Sequence, residues 1–198
     1  MPAYIDQPFE DVQNHVYIGG LPADVTAKRI ADLFGRFGFI VKLYLRRRTA
    51  RDSNILLPNP FVILVFEKQE IIDRIMAERP YSMNENQLSA RRCLPNTRRY
   101  PYERYITTNQ MLVRIPKENH EDILPNDDVI IEYLKPAGGQ IIRFERWEET
   151  TAFVEFDDYD PVDVCCLSRP HSIANQIIEI EKCPDEQQAR RRSQFRQK

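Results

Sequence analysis

Three histidines and four cysteines are the residues of this 198-residue chain best suited to metal, redox or nucleophilic chemistry, and their spacing supports none of it. His15, His120 and His171 fall in no ligand spacing, and Cys93, Cys165, Cys166 and Cys183 form no CxxC pair. Cys165 and Cys166 sit in a predicted helix, where neighbours diverge by about 100° and one of the two is expected in the core. No dinucleotide fingerprint, phosphate loop or HExxH pair occurs. The expectation is therefore a non-enzyme with no metal and no cofactor, its thiols free in a reducing compartment. What remains is a supply of cations. Arg46, Arg47 and Arg48 with Arg51 form one cluster, and Arg190, Arg191, Arg192, Arg196 and Lys198 form another. Clustered guanidiniums suit phosphate oxygens, and a solvated basic loop is the plainer alternative.

These cations are unevenly placed. Residues 1–110 carry 16 Lys/Arg against 12 Asp/Glu, residues 111–185 carry 7 against 17, and residues 186–198 carry 5 against 1. A polyanion should be held by the first half and repelled by the middle of the second. Hydrophobic residues make up 42% of the chain, enough for a packed core. No apolar run reaches the roughly 18 residues of a membrane span, so no membrane partner is expected. Met1–Gln13 lacks the basic-then-apolar pattern of a secretory signal.

The elements that must position these residues repeat. Val16–Leu21 reads as a strand running into Gly19-Gly20. Thr26 stands at an N-cap position before Ala27–Phe37, where Ile30, Leu33, Phe34 and Phe37 recur at helical spacing. Val41, Leu43 and Leu45 alternate with Lys42, Tyr44 and Arg46 in a half-buried strand, and Phe61–Phe66 is an apolar strand after the polar stretch 47–60. A helix over Glu70–Glu78 and a strand over Gln87–Leu94 complete a βαββαβ order. Strand Met111–Ile115, helix Asp127–Lys135, strands Ile141–Phe144 and Ala152–Phe156, helix Pro161–Leu167 and strand Ile177–Ile180 repeat it. The fold class is α+β: two ferredoxin-like βαββαβ sandwiches in tandem, each a four-stranded antiparallel sheet with two helices on one face. The expected organisation is an N-terminal extension (1–13), a first domain (14–95), a linker (96–108), an acidic second domain (109–185) and a basic disordered tail (186–198).

The first copy resembles an RNA recognition motif. The resemblance rests on Val16-Tyr17-Ile18-Gly19-Gly20-Leu21 and on Leu21-Pro22-Ala23-Asp24-Val25-Thr26 with Ile30, Leu33-Phe34 and Phe37-Gly38. Asn59–Phe66, Met76–Tyr81 and Arg91–Leu94 extend it. With Ala152–Asp163 of the second copy, the chain is similar to the paired motifs of the heterogeneous nuclear ribonucleoprotein A/B type, over about residues 14–183. The resemblance implies a single-stranded nucleic-acid binder that stacks splayed bases on the open sheet face. Tyr17 and Phe61 occupy two of the family's three stacking positions, with Ile63 in the third. Period-two alternation turns Tyr17, Phe61 and Ile63 outward and Val16, Ile18, Val62, Leu64 and Phe66 inward. Lys42, Tyr44 and Arg46 also point outward, where they restore an aromatic surface and positive charge. Arg91 and Arg92 match positions that contact nucleic acid or the other domain, and His15 matches a frequent basic contact. Asn59 and Pro60 replace the family's basic residue and glycine, removing a cation and a backbone donor.

In the second copy, Leu112 and Thr151 replace two stacking aromatics and leave Phe153. Glu145, Glu148 and Glu149 stand where the family often carries basic residues, and Glu145 and Glu149, close to the expected binding face, oppose a phosphate backbone. Trp147 is either a new stacking surface or a core or partner anchor. The resemblance further implies ion pairs from Arg79 and Arg92 to Asp158 and Asp160. The expected ligand is single-stranded RNA, with single-stranded DNA as a second, and the acidic second domain is a candidate surface for a protein partner. By resemblance the protein acts in pre-mRNA processing or mRNA regulation, in the nucleus with shuttling to the cytoplasm. The alternative is a protein-interaction module of a ribonucleoprotein complex, with degenerate motifs and weak RNA affinity.

Overall fold

The computed structural model describes residues 12–47, 60–119, 122–187 and 189. Arg48, Arg51, Asn59, His120 and the basic residues from Arg190 onward lie outside them. The chain divides into two compact units, Met1–Pro95 and Asn96–Lys198.

The first unit runs β1 (His15–Gly19), α1 (Ala27–Phe34), β2 (Ile40–Arg46), β3 (Phe61–Phe66), α2 (Gln69–Ala77), β4 (Tyr81–Met83) and β5 (Asn86–Arg92). The second runs β6 (Gln110–Arg114), α3 (Asp127–Leu134), β7 (Ile141–Glu148), β8 (Thr151–Phe156), α4 (Asp160–Leu167), β9 (His171–Ile173) and β10 (Gln176–Lys182). Sheet orders are β2-β3-β1-β5-β4 and β7-β8-β6-β10-β9, and the pairings are antiparallel. Both units are ferredoxin-like, and each sheet has five strands where four are expected. The added strands β4 and β9 are three residues long. They open two copies of one local pattern, Arg79-Pro80-Tyr81-Ser82 and Arg169-Pro170-His171-Ser172. Each folds back on the next strand through a left-handed asparagine, Asn84 at φ 55° and Asn175 at φ 65°.

Period two decides the core. Val16, Ile18, Val62, Leu64 and Phe66 are fully buried under α1 and α2, which contribute Ile30, Phe34, Ile72, Ile75 and Met76. Thr26 caps α1 by accepting from Arg29 N at 3.3 Å. Arg47 donates to the carbonyls of Ala23 and Val25, so this member of the basic cluster braces the turn before α1. Tyr81 packs edge-on against Phe34 and donates to Ile75 O at 2.7 Å, and burial pushes its phenol up to about 12.

Two expectations change in the second unit. Strand β7 continues to Glu148 because Glu145 pairs with Phe153 and, after an irregularity at Trp147, Glu148 pairs with Thr151. Polar composition alone reads this stretch as a connection. The segment expected as a linker also packs onto the unit. Glu103 is 8% exposed and accepts two bonds from Arg169, at 2.7 and 2.8 Å, and one from Lys182 N at 2.9 Å. Arg169 lies 4.1 Å over the ring of Tyr100, and Lys182 Nζ donates to Ile106 O. Residues 100–106 thus form a buried polar clamp on β10.

Candidate nucleic-acid interface

The face of the first sheet away from its helices is built row by row from strand register. One row crosses the sheet as Tyr44, Ile63, Tyr17 and Arg91, and the next joins Arg46 to Phe61. Lys42, Val65 and His15 form a third. All of these share one side, as the alternation predicts. The ring of Tyr17 stacks on Phe61, centroids 5.3 Å apart at 27°. Arg91 places its guanidinium 4.3 Å over the other partner of that stack, the Tyr17 ring. Gly19 makes room for this arrangement: a Cβ there would stand 2.9 Å from the tyrosine ring. Lys42 and Arg46 are exposed, and Tyr17, Tyr44 and Arg91 are half-buried. Among the described residues no carboxylate lies on this side of β1, β2, β3 or β5.

Four expected positions differ here. Phe61 and Ile63 face outward but are only 7% and 2% exposed. Ile63 is flanked by Tyr17 and Tyr44, and Phe61 carries the Tyr17 ring, so they are the floor of the face and Tyr17 is its accessible ring. Arg92 is paired with Val16, which makes it an inward residue of the helix-covered side. It is 6% exposed and donates to Asp73 of α2 at 2.7 Å. Adjacent strand residues cannot share a face, so of Arg91 and Arg92 only Arg91 belongs to this surface. His15 is outward but buried, its Nδ1 bonded to Asn14 Oδ1 at 2.8 Å. Arg79 donates through Nε to Met76 O at the end of α2, and Asp158 accepts from Asp160 N at the start of α4.

The corresponding face of the second sheet has opposite chemistry. Phe153, expected as an exposed stacking ring, is fully buried. Arg143, Glu145 and Trp147 alternate along β7 and converge on it. Trp147 stacks on Phe153 at 5.2 Å and 12°, and the Arg143 guanidinium stands 4.9 Å over the same ring. Glu145 lies between them, accepting from Arg143 Nε at 2.7 Å and Trp147 Nε1 at 3.1 Å. Glu186 accepts from Arg143 Nη1 at 2.8 Å and Nη2 at 3.0 Å, a bidentate fork. The hydrogen bonds it donates to Glu186, then to Glu145, push the guanidinium above its ordinary range. Glu155 and Glu181 share this face, Glu181 paired with Arg114, and Glu179 is paired with Arg99. The region past Asp185, expected as a tail, begins with a helical turn: Ala189 N donates to Asp185 O at 3.0 Å, and Ala189 packs against the Phe153 cluster. Arg143 and Glu186 carry this surface and were missed from sequence. The Arg-x-Glu-x-Trp alternation at 143–147 was the signal for the first, and nothing local marked the second.

Among known proteins, residues 13–97 match the family model described as RNA recognition motif, and the match falls on the first unit. Similar solved structures include the RNA binding domain of Hrp1 in complex with RNA, at 20% identity over 89% of this chain and 99% of that one, TM-score 0.37. The RNA recognition domains 1 and 2 of Sex-lethal from Drosophila melanogaster are 14% identical over 86% and 99%, TM-score 0.40. The N-terminal three RNA binding domains of the yeast splicing factor Prp24 are 14% identical over 88% and 68%, TM-score 0.35.

Proposed function

We propose that this protein binds single-stranded RNA through the sheet face of its first unit. The observation that carries the reading is the pairing of an accessible stacked tyrosine with three cations, Lys42, Arg46 and Arg91, on a face free of carboxylates among its described residues. A base stacks on the Tyr17 ring, with Tyr44 beside it. The cations meet the phosphates on either side. The family match over the same residues agrees. Single-stranded DNA offers the same rings and phosphates and is a second ligand. Given the resemblance to A/B-type ribonucleoproteins, the process is pre-mRNA processing or mRNA regulation, in the nucleus with shuttling to the cytoplasm. The test is Tyr17→Ala in the full chain, read by fluorescence anisotropy with a short random-sequence RNA. One lost stacking ring weakens binding about 5- to 150-fold, following from about 1–3 kcal/mol per base. Tyr17→Phe retains most of the affinity, because the ring supplies the stacking. A folded Tyr17→Ala chain that binds as tightly as wild type refutes the assignment.

A second reading belongs to the second unit. Its corresponding face carries Glu145, Glu155, Glu181 and Glu186 against Arg114 and Arg143, and Phe153, the ring left at a stacking position, is covered. Such a face repels RNA and suits a protein role within a ribonucleoprotein complex. Charge-neutralising Glu→Gln changes there leave RNA affinity of the wild-type first face unchanged if that reading holds.

A further inference from the structure

Strand β9 is shorter than the strand it pairs with, and a cavity lies where it stops. The pairing with β10 ends at His171 opposite Ile178, while β10 runs on to Lys182. Beyond that point the edge of β10 is met by Arg169, which donates to Ile180 O, and by Glu103, which accepts from Lys182 N. The cavity beside them measures about 490 Å³, within the roughly 300–1,000 Å³ of ligand pockets. Tyr100, Pro116, Pro170, Ile177 and Ile178 give it apolar walls. Those walls are held in place before any ligand arrives. The Arg169 guanidinium, forked on Glu103, lies 4.1 Å over the Tyr100 ring, Tyr100 N donates to Thr97 Oγ1 at 3.1 Å, and two wall residues are prolines. A ligand therefore has little left to order. Ile177 is 60% exposed, so a ligand seated here gains by burying it.

The charges of the cavity select among ligands. Both guanidiniums that line it are already paired, Arg99 with Glu179 and Arg169 with Glu103. Glu118, in the exposed turn Lys117–Asn119, also lines it and has no ion-pair partner among the described residues. A phosphate chain would find both guanidiniums taken and would meet the Glu118 carboxylate. An apolar group with a cation beside it matches the walls and the carboxylate together. The surrounding sequence has the same sign, 7 Lys/Arg against 17 Asp/Glu over residues 111–185, which favours the approach of a basic partner. We propose that this cavity docks a linear segment of a partner protein in which a bulky apolar residue is flanked by arginine or lysine. The apolar side chain enters between Tyr100 and Ile177 as the anchor, and the cation rests on Glu118. The proposal goes beyond both readings above, and its peptide test touches neither the Tyr17 face nor the acids on the sheet face of the second unit.

The probe is a pool of fluorescein-labelled peptides with Leu, Phe or Trp at the centre, Arg or Lys on either side of it, and Gly or Ser elsewhere. It is titrated by anisotropy against the full-length chain. Two companion pools change one feature each, with Ala at the centre or with Glu in place of the flanking cations. The basic apolar pool is expected to bind at least about fivefold more tightly than either companion. Ile177→Ser weakens that binding about fivefold or more, and Glu118→Gln weakens it about two- to fivefold, the worth of an exposed ion pair. Ile142→Ser, 55% exposed on β7, and Glu132→Gln, exposed on α3, remove the same kinds of surface elsewhere in the unit and leave the affinity unchanged. All four positions are exposed, and far-UV circular dichroism verifies that each variant is folded. No saturable binding of the basic apolar pool overturns the proposal, and so does equal binding of the Ala-centred pool. Wild-type affinity in Ile177→Ser, or an equal loss in Ile142→Ser, overturns the site. Two further outcomes hand the cavity to another occupant and overturn the proposal as well. One is binding of a short random-sequence RNA, in a Tyr17→Ala background, that falls with Ile177→Ser. The other is a concentration-dependent dimer in sedimentation that Ile177→Ser dissociates.

Discussion

The sharpest test of the first interface uses two neighbouring arginines. Arg91 is outward over Tyr17, while Arg92 is inward on Asp73. Single-stranded binding weakens with salt by about 0.7 log units per log unit of salt for each phosphate neutralised. Lys42, Arg46 and Arg91 therefore contribute a slope of about −2, and raising salt fourfold costs them roughly 18-fold in affinity. Arg91→Gln or Arg46→Gln each flattens the slope by about 0.7, which is measurable by anisotropy titration of the full chain at four or five salt concentrations. Arg92→Gln leaves the slope where it was. Its effect appears in stability instead, as a loss of about 1–3 kcal/mol in the urea unfolding of the first unit, because a charged hydrogen bond to α2 is gone. Equal slopes for wild type, Arg46→Gln and Arg91→Gln would falsify the phosphate contacts. A slope that falls with Arg92→Gln would show that the nucleic acid does not lie on the sheet face at all.

Two further outcomes concern the second unit. Glu103→Gln leaves the half-buried Arg169 guanidinium without its carboxylate and is expected to destabilise this unit by about 1–3 kcal/mol, read as a lower urea midpoint for its transition. If 96–108 were a mere connection, the midpoint would not move. His171 is buried between Tyr133 Oη at 3.0 Å and Cys165 O at 2.9 Å, and burial, with a smaller contribution from Arg169, holds its pKa below the ordinary histidine value. The folded state therefore takes up its proton later than the unfolded state as pH falls. The stability contributed by neutral His171 is complete above about pH 6.5 and is lost as pH falls from there through the folded pKa. Thermal unfolding of the second unit should shift downward between pH 7.5 and 5.5, and His171→Gln should reduce that dependence. A dependence of undiminished size in the variant would move its origin to another group.

The sequence reveals side more readily than depth. Alternation along β1 and β3 assigns Val16, Ile18, Val62, Leu64 and Phe66 to the core and Tyr17, Phe61 and Ile63 to the opposite side, and the register agrees at each position. It says nothing of what else arrives on that side. Phe61 is outward and still buried because the Tyr17 ring lies on it, and Gly19 is what permits that ring to lie there. Alternation applied one residue further would have separated Arg91 from Arg92; resemblance grouped them by function, and the pleat divides them. The short strands β4 and β9 were visible in another way, as the pattern Arg-Pro-Tyr-Ser and Arg-Pro-His-Ser in corresponding places of the two units. The partners of Glu103 and Glu186 were not visible, since Arg169 and Arg143 lie 66 and 43 residues away and no local spacing connects them. The same sheet thus became two surfaces. In the first unit a cation rests on an accessible tyrosine, and among the described residues no acid stands on that side of the strands. In the second, an equivalent cation over Phe153 is held between Glu145 and Glu186. The difference lies in the acids of β7 and of the turn after β10. Exchanging those acids, more than restoring lost aromatics, is therefore the change expected to give the second face the chemistry of the first.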